Sequence, residues 1–86
     1  MQGRRVYAEG NKPLCTQVGD YGKDTHGNWW IWVPDTNIVC DLPQRTSDGK
    51  GWTIEEHEDG TITTSPSINF PHHWHGYLTK GEWVSC

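Results

Sequence analysis

Asn28-Trp29-Trp30-Ile31-Trp32-Val33-Pro34 is the stretch that decides the fold. Aromatic and β-branched side chains suit the pleated surface of a sheet, and proline cannot continue a central strand, so this run predicts a strand over 28–33 that stops at Pro34. So apolar a run is read as a buried core strand in preference to a binding surface. Pro34-Asp35-Thr36 then supplies turn-forming residues, and Asn37-Ile38-Val39-Cys40-Asp41-Leu42-Pro43 supplies a second strand. The two are expected to pair as a hairpin.

Working outward, Gln44 to Gly51 is polar and glycine-rich and reads as an exposed loop. Trp52-Thr53-Ile54 and Thr61-Ile62-Thr63-Thr64 flank an acidic segment ending in Asp59-Gly60, which carries the signature of a hairpin turn. Ser65-Pro66-Ser67-Ile68 ends that strand. Lys80-Gly81 joins Tyr77-Leu78-Thr79 to Glu82-Trp83-Val84 as a last hairpin. Upstream the pattern is weaker, with a short strand at Arg5-Val6-Tyr7-Ala8 and a turn at Gly10-Asn11-Lys12-Pro13. No window shows a helical apolar period. The expectation is therefore a mainly β fold, a small antiparallel sheet of about five to seven short strands, in one domain spanning 1–86.

Composition explains how such a chain holds together. A chain of 86 residues buries only about 60% of its unfolded surface, so a staple is expected in addition to the core. Six tryptophans against one Met and one Phe make the core a tryptophan cluster. The formal net charge of −4 and the lack of any Lys/Arg run argue against phosphate binding. No stretch approaches the roughly 20 apolar residues of a membrane span, and the start of the chain lacks the apolar core of a signal peptide, so a cytoplasmic protein is expected. Three cysteines cannot all pair within one chain; as thiols, beside five histidines, they point to a metal.

The histidines concentrate in Pro71-His72-His73-Trp74-His75, eleven residues before Cys86. Zinc takes four thiolate or imidazole ligands, and two spaced as His72 and His75 are can face one ion from a turn. If the run is extended, His73 and His75 share a face instead, which leaves two pairs open. Cys40, Cys86 and Cys15 are the candidates for the remaining ligands.

Residues 51–86 also carry Gly51-Trp52-Thr53-Ile54, Asp59-Gly60-Thr61-Ile62, Ser65-Pro66-Ser67-Ile68, His75-Gly76-Tyr77-Leu78 and Gly81-Glu82-Trp83. In these strings the chain resembles a family of small domains of unknown function found in phages and prophages and in bacterial operons for ubiquitin-like conjugation. The resemblance implies a structural zinc whose later ligand pair maps onto His72 and His75 and whose upstream knuckle survives here as Cys40; His72 stands where the family carries Cys. Cys86 is the favoured fourth ligand, because the last hairpin folds back toward the turn that carries His75. Cys15 and His73 are the alternatives. No activity comes with the resemblance.

A noncatalytic, metal-stabilised module of phage type fits this chain best, one that contacts a partner protein such as a host or defence component, as a monomer or as a dimer through an edge strand. Trp74 is the candidate contact, since tryptophan is enriched in binding hot spots; packing over the metal is its other reading. A small metal-dependent hydrolase would need His72, His73 and His75 as ligands, with Glu55, Glu56, Glu58 or Asp59 as base. That acidic run reads instead as a solvated hairpin tip. A nucleic-acid-binding or nucleic-acid-mimicking protein would need a basic groove or a one-sided acidic face, and the charges are scattered.

Overall fold

The computed structural model describes residues Met1–Cys86 and is all strand, without a helix. Nine strands run β1 (Arg4–Tyr7), β2 (Asp20–Lys23), β3 (Trp29–Trp32), β4 (Val39–Asp41), β5 (Thr53–Glu56), β6 (Ile62–Ser65), β7 (Ile68–Phe70), β8 (Trp74–Thr79) and β9 (Glu82–Ser85). They form three small sheets, ordered β1-β2-β3-β4, β5-β6 and β7-β8-β9. The tryptophan-rich run is β3, and it pairs antiparallel with β4, placing Ile31 opposite Cys40 and Trp32 opposite Val39. One pairing departs from the antiparallel expectation. β1 lies parallel to β2, with Arg4 opposite Asp20 and Val6 opposite Gly22.

β3 is central because its side chains alternate: Trp29 and Ile31, with Val33 just beyond, face the core, while Trp30 and Trp32 face out and are half-buried. The core they enter is shared by all three sheets. Tyr21, Leu42, Ile62, Ile68, Trp74, Leu78 and Trp83 close around them, and Trp74 meets Trp83 edge to face at 5.4 Å. Main-chain bonds splice the sheets together. Trp83 N–H donates to the Met1 carbonyl and Gly3 N–H to Gly81, so residues 1–3 pair with β9 before the chain continues as β1 in the first sheet. Arg5 then ties β1 to the β5–β6 hairpin, donating to the Gly60 carbonyl and to Glu56 while its guanidinium stacks over Trp29 and Tyr7.

The hairpins follow their turn residues. His57 and Thr61 close a loop in which Gly60 takes the left-handed φ of 86° that a side chain rarely adopts, and the Asp59 carboxylate accepts from the Thr61 N–H and hydroxyl. In Phe70-Pro71-His72-His73, Pro71 takes the first central position and His72 the second at φ 68°, and the His73 N–H donates to Phe70. This is a type II turn. The tightest contact on β8 is at Gly76, where a Cβ would sit 2.2 Å from the Val84 carbonyl oxygen and 2.6 Å from the Trp74 ring. No helix is long and apolar enough to cross a membrane.

One buried hydroxyl has no partner. Thr64 on β6 is 2% exposed and its Oγ1 makes no hydrogen bond, so Thr64→Val, which keeps the β-branched shape, is expected to stabilise the fold by about 1 kcal/mol. A urea titration checks this, and a loss of stability would mean that the hydroxyl is bonded after all.

Candidate binding surface

The residues expected to hold zinc are spread over β4, the turn before β8, β8 itself and the end of the last hairpin. Cys40 sits in the middle of β4 opposite Ile31 and packs against the core, where burial raises its thiol above the ordinary value. His72 is exposed in the type II turn, and His73 is exposed beside it. The expected knuckle is divided by the start of β8 at Trp74, whose alternation turns Trp74 inward and His75 outward. His75 Nε2 lies 2.9 Å from the Ser67 hydroxyl. Cys86 does fold back toward His75, as its N–H donates to the His75 carbonyl at 2.9 Å.

Of the four expected ligands only His75 and Cys86 are thus neighbours, and no three His, Cys, Asp or Glu side chains gather as a metal-binding group. The residues do not fit an intramolecular four-ligand zinc. Cys40 faces the core from β4, whereas His75 leaves the outer face of the β7-β8-β9 sheet.

Trp74 likewise differs from the exposed contact expected of it. It is 9% exposed, packed against Trp83, because it occupies the first inward position of β8. The acidic run of 55–59 is divided in use: Glu56 accepts from Arg5 and pairs with Lys23, while the His57 ring bonds the Thr63 hydroxyl. Arg4, Arg5, Lys12 and Lys23 each face a carboxylate, so these cations form no free basic groove.

A different surface stands out on the outer face of the first sheet. Pro13, Leu14 and Cys15 fold over β3 and, with Asp24, Trp30 and Val39, line a cleft of about 210 Å³. Its walls are chiefly apolar. The Trp30 indole N–H donates to Asp24 at 2.9 Å, and that bond, with the N–H groups of Asn28 and His26, holds the Asp24 carboxyl below the usual carboxylate range. Trp30 is fixed as a wall by this contact. At the floor, burial pushes the Cys15 thiol up to about 11, with Asp20 and Cys40 adding in the same direction. It stays protonated at neutral pH and acts there as a small apolar surface.

The cleft adjoins an open strand edge. β4 is the last strand of its sheet, and its ladder bonds run through Ile38, Cys40 and Leu42, so alternation turns the main-chain groups of Val39 and Asp41 toward solvent. Val39 is 43% exposed. The alternation of 29–33 already implies that Trp30 and Trp32 leave the core face, which is the one sequence signal for this surface. That 13–15 would cover Trp30 has no signal in the sequence. No protein-family model, curated protein or solved structure matches the chain.

Proposed function

We propose that the chain is a small noncatalytic binding module that takes an extended segment of a partner protein along β4, with one apolar side chain of that segment in the cleft beside Trp30. The observation that carries this function is the adjacency of the cleft to the open β4 edge. An added strand gains main-chain hydrogen bonds from the edge, and a pocket for one of its alternate side chains gives selectivity. A cleft of about 210 Å³ suits a single Leu- or Phe-sized side chain better than a drug-sized ligand, which needs several hundred cubic ångström. The chemistry of the cleft agrees. Its two ionisable groups are a protonated thiol and a carboxylate engaged by the Trp30 N–H, so it offers shape in place of acid–base groups.

Panning a displayed random-peptide library against the purified protein tests the proposal. Enriched peptides should share an apolar anchor within an extended stretch, and Val39→Lys, at an exposed position, should weaken them about tenfold to a hundredfold while leaving the fold intact. That range corresponds to the roughly 1.5–3 kcal/mol of one buried apolar side chain. Binding unmoved by both Val39→Lys and Leu14→Ala would place the partner surface elsewhere.

A further inference from the structure

The outward face of the β7-β8-β9 sheet holds a pair of side chains that the cleft does not use. His75 and Cys86 lie opposite each other in the ladder, one step beyond the Gly76–Ser85 pair, and both are exposed. Directly opposed residues of antiparallel strands share a face and hold their Cβ atoms about 4.5–5.5 Å apart, a span that one zinc ion can bridge with one ligand from each strand. The imidazole is already oriented. Its Nε2 lies 2.9 Å from the Ser67 hydroxyl, and when Ser67 accepts from Nε2–H, Nδ1 keeps the free lone pair that a metal requires. Metal-binding histidines are commonly held in this way through the other ring nitrogen.

Two ligands make half of a tetrahedral zinc shell, and no third ligand of the same chain joins them. We propose that His75 and Cys86 are a half-site, and that one zinc ion is held by this pair from each of two copies of the chain in a two-fold symmetric dimer. A second copy supplies the missing ligands because a two-fold axis through the ion repeats the same imidazole and thiolate. Each thiol releases its proton to solvent on binding. The next pair on this face, two rungs along, suits the same mate, for Tyr77 stands opposite Val84, 44% and 47% exposed, and a copy docked across the axis covers both. Charge points the same way. Two chains of formal charge −4 repel, and a divalent cation between them offsets part of that repulsion.

Native mass spectrometry and light scattering on tag-free protein, titrated with zinc chloride under a phosphine reductant that prevents disulfides, test the half-site. The expected result is a monomer that becomes a dimer with one zinc per two chains. Cobalt in its place should give the visible absorption of a tetrahedral sulfur–nitrogen shell. Cys86→Ser and His75→Gln, both exposed positions whose circular dichroism should be unchanged, should each weaken zinc-dependent dimerisation at least about tenfold, and Ser67→Ala should weaken zinc affinity by about tenfold. Zinc bound one per monomer, no zinc binding, or a dimer that survives Cys86→Ser would each overturn the proposal. Because Val39 lies on another sheet, Val39→Lys should leave the zinc response unchanged, which keeps this test separate from that of the peptide cleft.

Discussion

Trp83→Ala is expected to remove about 3–5 kcal/mol of stability, a large share of the roughly 5–15 kcal/mol that holds a domain folded. The ring is 2% exposed at the point where three parts of the chain meet. Its edge-to-face partner is Trp74, its indole N–H donates to the Gly19 carbonyl at 3.0 Å, and its own main chain pairs with Met1. Truncation leaves a cavity the size of an indole and removes one of the two donors of the Gly19 carbonyl, which keeps the Arg4 N–H at 3.3 Å. The cavity sets the cost, about 3–5 kcal/mol for a buried Trp, because the Gly19 carbonyl stays bonded to Arg4.

Trp83→Phe separates the two effects. It keeps most of the ring volume and the aromatic contact but not the donor, so a loss of about 2 kcal/mol is expected. Urea unfolding followed by far-ultraviolet circular dichroism measures both variants. A loss below about 1 kcal/mol for the alanine variant would mean that the sheets do not share one core through this ring.

Much of the fold was legible because local preference and tertiary demand coincide. In 28–33 the residues that favour a strand are the ones the core needs, and β3 runs over Trp29–Trp32 with β4 paired to it as expected. Asp59-Gly60 and Lys80-Gly81 mark hairpins for the same reason, since each supplies the positive φ that its turn requires. β2 was illegible. Asp20-Tyr21-Gly22-Lys23 holds one large apolar residue, and its place is set by partners distant in sequence, with Arg4 gripping Asp20 and Val6 lying so close that a Cβ on Gly22 would sit 2.3 Å from its carbonyl oxygen. β7 gives as weak a signal, because its three residues stand between Pro66 and Pro71.

The candidate site was read less well than the fold, and β8 shows why. The ligand spacing of His72 and His75 assumes a turn through 72–75, whereas β8 begins at Trp74, and one residue of strand is enough to reverse which side chain faces the core. Trp74 went inward and His75 outward for that reason. The neighbouring of His75 and Cys86 was foreseeable from the last hairpin, because a two-residue turn fixes the register of everything beyond it. Cys40 was not separable from a ligand by sequence, as a core thiol and a metal thiolate use the same residue. Its pairing with Ile31 is what turns the thiol toward the core.

Asp20→Asn is expected to cost about 2–3 kcal/mol at neutral pH and to change how stability responds to acid. Asp20 is 1% exposed, and its carboxylate accepts from Arg4 Nε at 2.9 Å and Nη2 at 2.8 Å and from the N–H groups of Thr16 and Gln17 at 2.9 and 3.0 Å. Those four donors pin the segment that carries Cys15 and the cleft wall to the β1–β2 pair. An asparagine keeps one oxygen for the main-chain donors but turns an amide N–H₂ toward the guanidinium, so one side of the network is lost. Because the Arg4 side chain is 50% exposed, water recovers part of its solvation, which places the cost below the 3–5 kcal/mol of a fully buried broken pair.

The pH response has a definite sign. Burial pushes the Asp20 carboxyl up, but the Arg4 guanidinium and the Thr16 and Gln17 N–H groups together outweigh it and hold the folded-state value below the ordinary carboxylate range. A carboxyl depressed in the folded state adds stability that is complete above its unfolded value of about 4 and is lost as the pH falls through that value and then through the lower folded one. Wild type and Asp20→Asn should therefore differ most near pH 7 and converge below about pH 4, where the carboxyl in wild type is also being protonated. Asp24, Asp48, Glu56 and Asp59 are held low as well, but they are common to both chains and drop out of the difference. Urea midpoints at intervals from pH 7 to pH 3 measure that difference, and one that stays constant with pH would show that Asp20 stabilises the fold by packing and not by its charge.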